Sequence, residues 1–103
     1  MDPIRDQIRL DRYVIDTLMP DLVGHDKRPS ALLVYLFLWA RAGEPRTRRA
    51  TASLREIAEG TGMSKRGVQE ALRILLRRRL VSRISTSATS IAEYEVLRPW
   101  RKR

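Results

Sequence analysis

Arg66, Gln69, Arg73 and Arg77 recur at intervals of three, four and four residues. On a helix that spacing lines all four side chains along one side, opposite Val68, Leu72 and Leu75. Ser64 and Lys65 stand just ahead of them, at the end of such a helix where free N–H groups and the dipole favour an anion. Arginine offers a planar fork of donors, and the glutamine amide offers a donor beside an acceptor. A row of this kind is chemistry for holding a polyanion by paired hydrogen bonds. Arg78 follows Arg77, and Arg46, Arg48 and Arg49 form a second basic group upstream.

No catalytic constellation competes with that reading. The chain has no cysteine and a single histidine, His25, so disulfides, cysteine–zinc sites and histidine-rich metal sites are not expected. Gly60-Thr61-Gly62 is followed by neither a phosphate-loop lysine nor a dinucleotide pattern. The acidic pairs Asp2/Asp6 and Glu56/Glu59 fall near helix starts, where acid is favourable without any catalytic role. The reading is of a non-enzyme without cofactor, metal or evident small-molecule effector. The longest apolar stretch, residues 31–40, is half the roughly 20 residues a membrane crossing needs. The charged N-terminus does not read as a signal sequence, and a cytoplasmic, nucleoid-associated protein is expected.

The charge is divided unevenly along the chain. Of 21 basic and 12 acidic residues, residues 1–45 hold six and seven, leaving fifteen and five to residues 46–103. The formal net charge of +9 therefore comes from the second half alone, which predicts a polyanionic partner there.

The elements that must position these residues are legible from periodicity. The 103 residues predict one domain. Asp2-Pro3 opens a helical stripe through Ile4, Ile8, Tyr13 or Val14, Ile15 and Leu18 that breaks near Pro20, and residues 24–28 read as a loop. Pro29–Ala42 is a helix apolar on every face, so cover is expected from the N-terminal segment or from a second copy of the chain. After a basic loop, Thr51-Ala52 reads as a short strand. Ser53 and Glu56 form a capping box for a short helix that ends at Gly60-Thr61-Gly62, and Ser64 caps the longer helix that follows. From Leu80 the period becomes two, predicting a hairpin with Leu80, Ser82 and Ile84 facing Val96, Tyr94 and Ala92. That register sets Arg83 against Glu93 as an outer ion pair, with residues 85–91 as the turn. Trp39 reads as core, and Trp100 as cover for the apolar helix or for a partner.

Short helix, glycine-containing turn, longer helix and hairpin together resemble the winged helix-turn-helix families, particularly bacterial and phage regulators and replication-initiator domains. The resemblance is carried by Ile57-Ala58, Gly62-Met63-Ser64, Val68, Ala71-Leu72, Leu75 and Leu80-Val81, and covers about residues 29–97. It implies a mainly α fold with a small β-hairpin, a recognition helix at residues 64–79 and a wing at 80–97. Residues 1–28 then form an N-terminal helical extension suited to homodimerisation, and residues 99–103 a basic tail. It further implies double-stranded DNA as partner and transcriptional regulation as role. Lys65, Arg66, Gln69 and Arg73 would reach base edges or nearby phosphates, Arg and Gln suiting guanine and adenine edges, with Ser64 at the helix N-terminus where a phosphate is favoured. Arg77, Arg78, Arg48 and Arg49 would hold the backbone. Two residues depart from the pattern: Gly67 replaces a common Thr, and Arg79 replaces the usual glycine before Leu80-Val81. A replication initiator, a protein–protein adaptor and a binder of structured RNA are the competing functions.

Overall fold

The computed structural model describes residues 6–42, 48–84 and 91–101. The expected helix start at Asp2-Pro3, Arg46, residues 85–90 of the hairpin turn, Lys102 and Arg103 lie outside the described residues. Among the described residues of the N-terminal extension, 7–11 are non-helical and the continuous helical stretch starts at Arg12. Two wide turns, π1 (Val14–Leu18) and π2 (Asp21–His25), carry it to Asp26. Pro20 lies between them. Its ring crowds the carbonyl four residues back and it has no N–H to offer, and the helix accommodates it with i→i+5 bonding on both sides. Met19 N–H donates to the Val14 carbonyl, and Asp26 N–H to that of Asp21 at 2.9 Å. The break expected at Pro20 is therefore a widening, and Gly24 and His25 belong to π2 rather than to a loop.

Helix α1 (Pro29–Ala42) buries Ala31, Leu32, Val34, Tyr35, Leu38 and Trp39. Its cover comes from within the chain. Val14, Leu18 and Leu22 of the extension share its core, and α3 (Lys65–Arg77), α2 (Leu54–Thr61) and β1 (Arg49–Thr51) pack around the rest. Among the described residues of α1, Leu33 is the one large apolar side chain left exposed.

The helix pair forms for the reasons its sequence supplies. Ser53 Oγ accepts from Glu56 N–H at 3.0 Å while Glu56 Oε1 accepts from Ser53 N–H at 2.9 Å. Gly62 takes the left-handed conformation (φ 78°) that ends α2. Ser64 Oγ accepts from Gly67 N–H at 3.0 Å to start α3, and a β-carbon at Gly67 would lie 3.3 Å from that hydroxyl.

The end of α3 is built at a cost. Leu80 N–H donates to the Leu75 carbonyl at 2.9 Å and Arg79 N–H to that of Leu76 at 3.1 Å, the paired bonds of a Schellman cap. The cap needs a left-handed residue, and Arg79 supplies it at φ 58°. A side chain in that region costs roughly 1–2 kcal/mol, part of which glycine returns as unfolded-state entropy. Arg79→Gly is expected to stabilise the fold by about 1 kcal/mol, raising a thermal melt by roughly 4–8 °C. An unchanged or lower midpoint refutes the strain.

This cap also decides the sheet. It consumes Leu80, so β2 runs Val81–Ile84 and pairs antiparallel with β3 (Glu93–Val96) in the register Val81↔Val96, Ser82↔Glu95, Arg83↔Tyr94 and Ile84↔Glu93. The expected register is wrong by one residue, which turns every β2 side chain to the other face. Arg83 stands opposite Tyr94, and no Arg83–Glu93 ion pair forms among the described residues. The strand expected at Thr51-Ala52 is β1, paired with β3 through Ala50↔Tyr94, giving a three-stranded sheet in the order β1-β3-β2.

Residues 98–101 are docked against the extension and α1. Trp100 stacks between Tyr13 (centroids 4.6 Å) and Trp39 (6.4 Å), and its indole N–H donates to Asp11 Oδ2 at 2.7 Å. Arg101 grips the same carboxylate through two bonds of 2.7 and 2.6 Å, which holds Asp11 below the usual carboxylate range. Trp39 N–H donates to the Arg9 carbonyl at 2.7 Å, and Tyr35 O–H to that of Leu97 at 2.8 Å.

Candidate nucleic-acid interface

Ile57, Val68, Ala71, Leu72 and Leu75 are buried between α2, α3 and α1, so α3 is fixed by its apolar side and its polar side faces outward. Lys65, Arg66, Gln69, Arg73 and Arg77 are all exposed. They do not form one undivided row. Lys65, Gln69 and Arg73 line a shallow groove of about 560 Å³ between α3, the start of α2 and the sheet. Arg55 of α2 and Arg83 of β2 line it from the other sides, over a floor that includes Leu72, Leu76, Ala92 and Tyr94. Arg66 and Arg77 are not among its lining residues.

Among the described residues, Lys65, Arg73 and Arg83 have no carboxylate within 4 Å. Arg55 reaches Glu59 at 3.1 Å and Arg66 reaches Glu70 at 3.9 Å, both in open solvent. Such exposed pairs are worth little and yield readily to a phosphate. The groove thus gathers cations and the Gln69 amide around an apolar floor. Burial, slightly offset by Arg83, raises the Tyr94 hydroxyl above its ordinary pKa, so it is a neutral member of the wall.

The remaining expected residues are placed elsewhere. Ser64 is occupied as the α3 cap. Arg49 pairs opposite Glu95, on the sheet face away from Tyr94 and Arg83. Arg48 precedes it at φ 53°, its carbonyl accepting from Val96 N–H at 2.7 Å. Arg78 faces the extension: its Nη2 donates to Asp21 Oδ2 at 2.6 Å, and its Nη1 to both Asp26 oxygens at 3.1 Å. Those bonds raise its already high pKa. Arg98 is 7% exposed, its guanidinium 4.0 Å from the Trp39 ring centroid. Burial lowers its pKa.

Sequence reasoning missed Arg55 and Arg83 as groove residues. The available signal for Arg83 was the β-branched pair Val81 and Val96, which fit the inner face better than Ser82 does. It also missed the role of the extension's acids. Asp6, Asp11, Asp16, Asp21 and Asp26 recur every fifth residue, and of these Asp11, Asp21 and Asp26 reach arginines of the second half.

Three helices, the second and third joined at the Gly62 turn, and a sheet whose last strands follow α3 directly, define a winged helix-turn-helix domain, a DNA-binding class. The chain belongs to a helix-turn-helix domain family, whose model matches residues 25–81. The match spans α1, β1, α2 and α3 and stops at the first residue of β2. Comparison with curated proteins and with solved structures yields no match. Among the described residues no helix is long and apolar enough to cross a membrane.

Proposed function

We propose that the chain binds double-stranded DNA sequence-selectively, with α3 in the major groove and the β2–β3 hairpin as wing, and regulates transcription from its sites. The observation that carries this reading is the groove in which Lys65, Gln69 and Arg73 face Arg83 and Arg55. Lys65, at the first turn of α3, meets a phosphate; Gln69 and Arg73, further along, read base edges, as their side-chain geometry suits adenine and guanine. Arg66 and Arg77 flank the groove and hold neighbouring phosphates. An adaptor helix would present an apolar face at this place, whereas the exposed side of α3 is charged along most of its length.

The test is a selection of bound sequences from a random duplex pool, followed by competition of the recovered duplex against a scrambled duplex and a structured RNA at several salt concentrations. Recovery of a defined sequence, and binding that weakens steeply with salt, is the expected result. Equal affinity for all three competitors, or binding indifferent to salt, refutes it. The recovered sequence, mapped to its genomic positions, separates regulation at promoters from a role at a replication origin.

A further inference from the structure

Among the described residues every ion pair between positions distant in sequence runs from an aspartate of the N-terminal extension to an arginine of the basic half: Asp11 to Arg101, and Asp21 and Asp26 to Arg78. All others join residues at most four apart. Arg78 is the residue that caps α3 at its C-terminal end. Both carboxylates reach it because of how π2 is wound. Residues five apart on an α-helix point roughly 140° away from each other; the wider π turn reduces that angle. The turn closed by the Asp26 N–H to Asp21 carbonyl bond is the one that brings the two acids together.

We infer that Asp21 and Asp26 are positioning residues for α3, acting through Arg78, so that the extension is a working part of the DNA-binding unit. Asp21 lies outside the 25–81 family match, and Asp26 and Arg78 lie within it. One end of α3 is set by the Ser64 cap and the α2 turn. The other ends in a strained left-handed residue, Arg79, held by its cap, by apolar packing and by the Leu97 N–H to Leu80 carbonyl bond of 2.9 Å, with the clamp as its one side-chain ionic tie among the described residues. Arg78 is pinned from three oxygens in a geometry that a lysine's single ammonium does not reproduce. A small rotation there swings Arg73, one turn away, relative to Arg83 across the groove.

The inference rests on the groove being the DNA surface, and the test separates the two. The variants are Asp21→Asn with Asp26→Asn, Arg78→Gln, Arg78→Lys and the triple change Asp21→Asn, Asp26→Asn and Arg78→Gln, each measured in the full chain at a temperature where circular dichroism shows it folded. The readouts are affinity for the duplex recovered by selection, affinity for a scrambled duplex, and the slope of affinity against salt. Each clamp variant is expected to lose about tenfold on the recovered duplex and little on the scrambled one. The triple change is expected to lose no more than its parts, and Arg78→Gln to keep the wild-type slope, because Arg78 meets no phosphate. Arg78→Lys, with the charge but not the fork, is expected to recover only part of the loss. Folded variants that bind the recovered duplex like wild type overturn the inference and leave DNA binding standing. Aspartate variants that bind both duplexes more tightly, with Arg78→Gln losing about one unit of slope, overturn it by making Arg78 a masked phosphate contact. A wild-type chain that binds neither duplex overturns the DNA-binding reading and the inference together.

Discussion

Arg73→Ala and Lys65→Ala are expected to weaken DNA binding in different ways, and the difference is the sharper test of the interface. Both side chains line the same groove and have no carboxylate partner among the described residues, so neither change breaks an internal ion pair. Both are exposed, and the fold is expected to survive within about 0.5 kcal/mol. Lys65 lies in the first turn of α3, where a phosphate also meets free backbone N–H groups. Removing it takes away one released counterion, so the loss falls equally on all duplex sequences and the salt slope becomes shallower by about 0.9. Arg73 stands two turns further in, where a fork of donors is worth most against a guanine edge. Its loss is expected to cost roughly 1–3 kcal/mol, about 5- to 150-fold, on the recovered sequence. On a scrambled duplex the same variant loses only the nonspecific share of its charge. Arg73→Lys keeps that charge and is expected to recover binding to the scrambled duplex without restoring selectivity. Equal losses of Arg73→Ala on recovered and scrambled duplexes refute the base-reading role, and no loss for either single variant refutes the groove as interface.

The core of this interface was legible because it is written in local signals. Ser53, Glu56, Gly62 and Ser64 specify where α2 and α3 begin and end, and the capping bonds they make do not depend on the rest of the molecule. The buried stripe Val68, Ala71, Leu72 and Leu75 then fixes which side of α3 faces out. What failed was the step from helix to hairpin. Period-two patterning treats Leu80 and Val81 as alternatives, and only the cap geometry, which assigns Leu80 to the end of α3, decides which begins the strand. The same decision moves Arg83 from an outer ion pair into the groove. The N-terminal extension was harder still. Its stripe was read with an α-helical period, while the chain around Pro20 takes π turns that local propensity does not foretell. Its partners, Arg78 and Arg101, lie more than fifty residues away, and no local pattern announces a contact at that distance. The apolar α1 raised the right question about cover, and the answer lies in Val14, Leu18 and Leu22 of the extension.

The largest stability effect is expected at Trp39, because three separate devices converge on its ring. The indole is 5% exposed, its N–H holds the Arg9 carbonyl at 2.7 Å, Trp100 stacks on it, and the buried Arg98 guanidinium lies 4.0 Å from its centroid. Arg98 Nε has no hydrogen-bond partner among the described residues, so the ring face compensates a cation that burial has already made costly. Trp39→Ala removes a large core side chain, worth roughly 3–5 kcal/mol, and leaves that cation over a cavity. Against a total stability of about 5–15 kcal/mol for a domain, the variant is expected to melt at least 15 °C lower or to be unfolded at room temperature. Trp39→Phe separates the contributions. It keeps a flat ring beneath Arg98 and between Tyr35 and Trp100 but lacks the donor for Arg9, so it is expected to cost far less, near the roughly 1 kcal/mol of a lost hydrogen bond plus some packing. In that variant the only remaining indole is Trp100, and its fluorescence reports the docking directly. A blue emission shows Trp100 still enclosed between Tyr13 and the ring at position 39; a red one shows the end of the chain released from Asp11. Thermal melts placing Trp39→Ala within about 1 kcal/mol of wild type would refute the convergence, since a half-exposed surface tryptophan costs no more. A large loss for Trp39→Ala with a mild one for Trp39→Phe ties the extension, the sheet's exit strand and α1 into a single folding unit, the frame from which α3 presents its charged side.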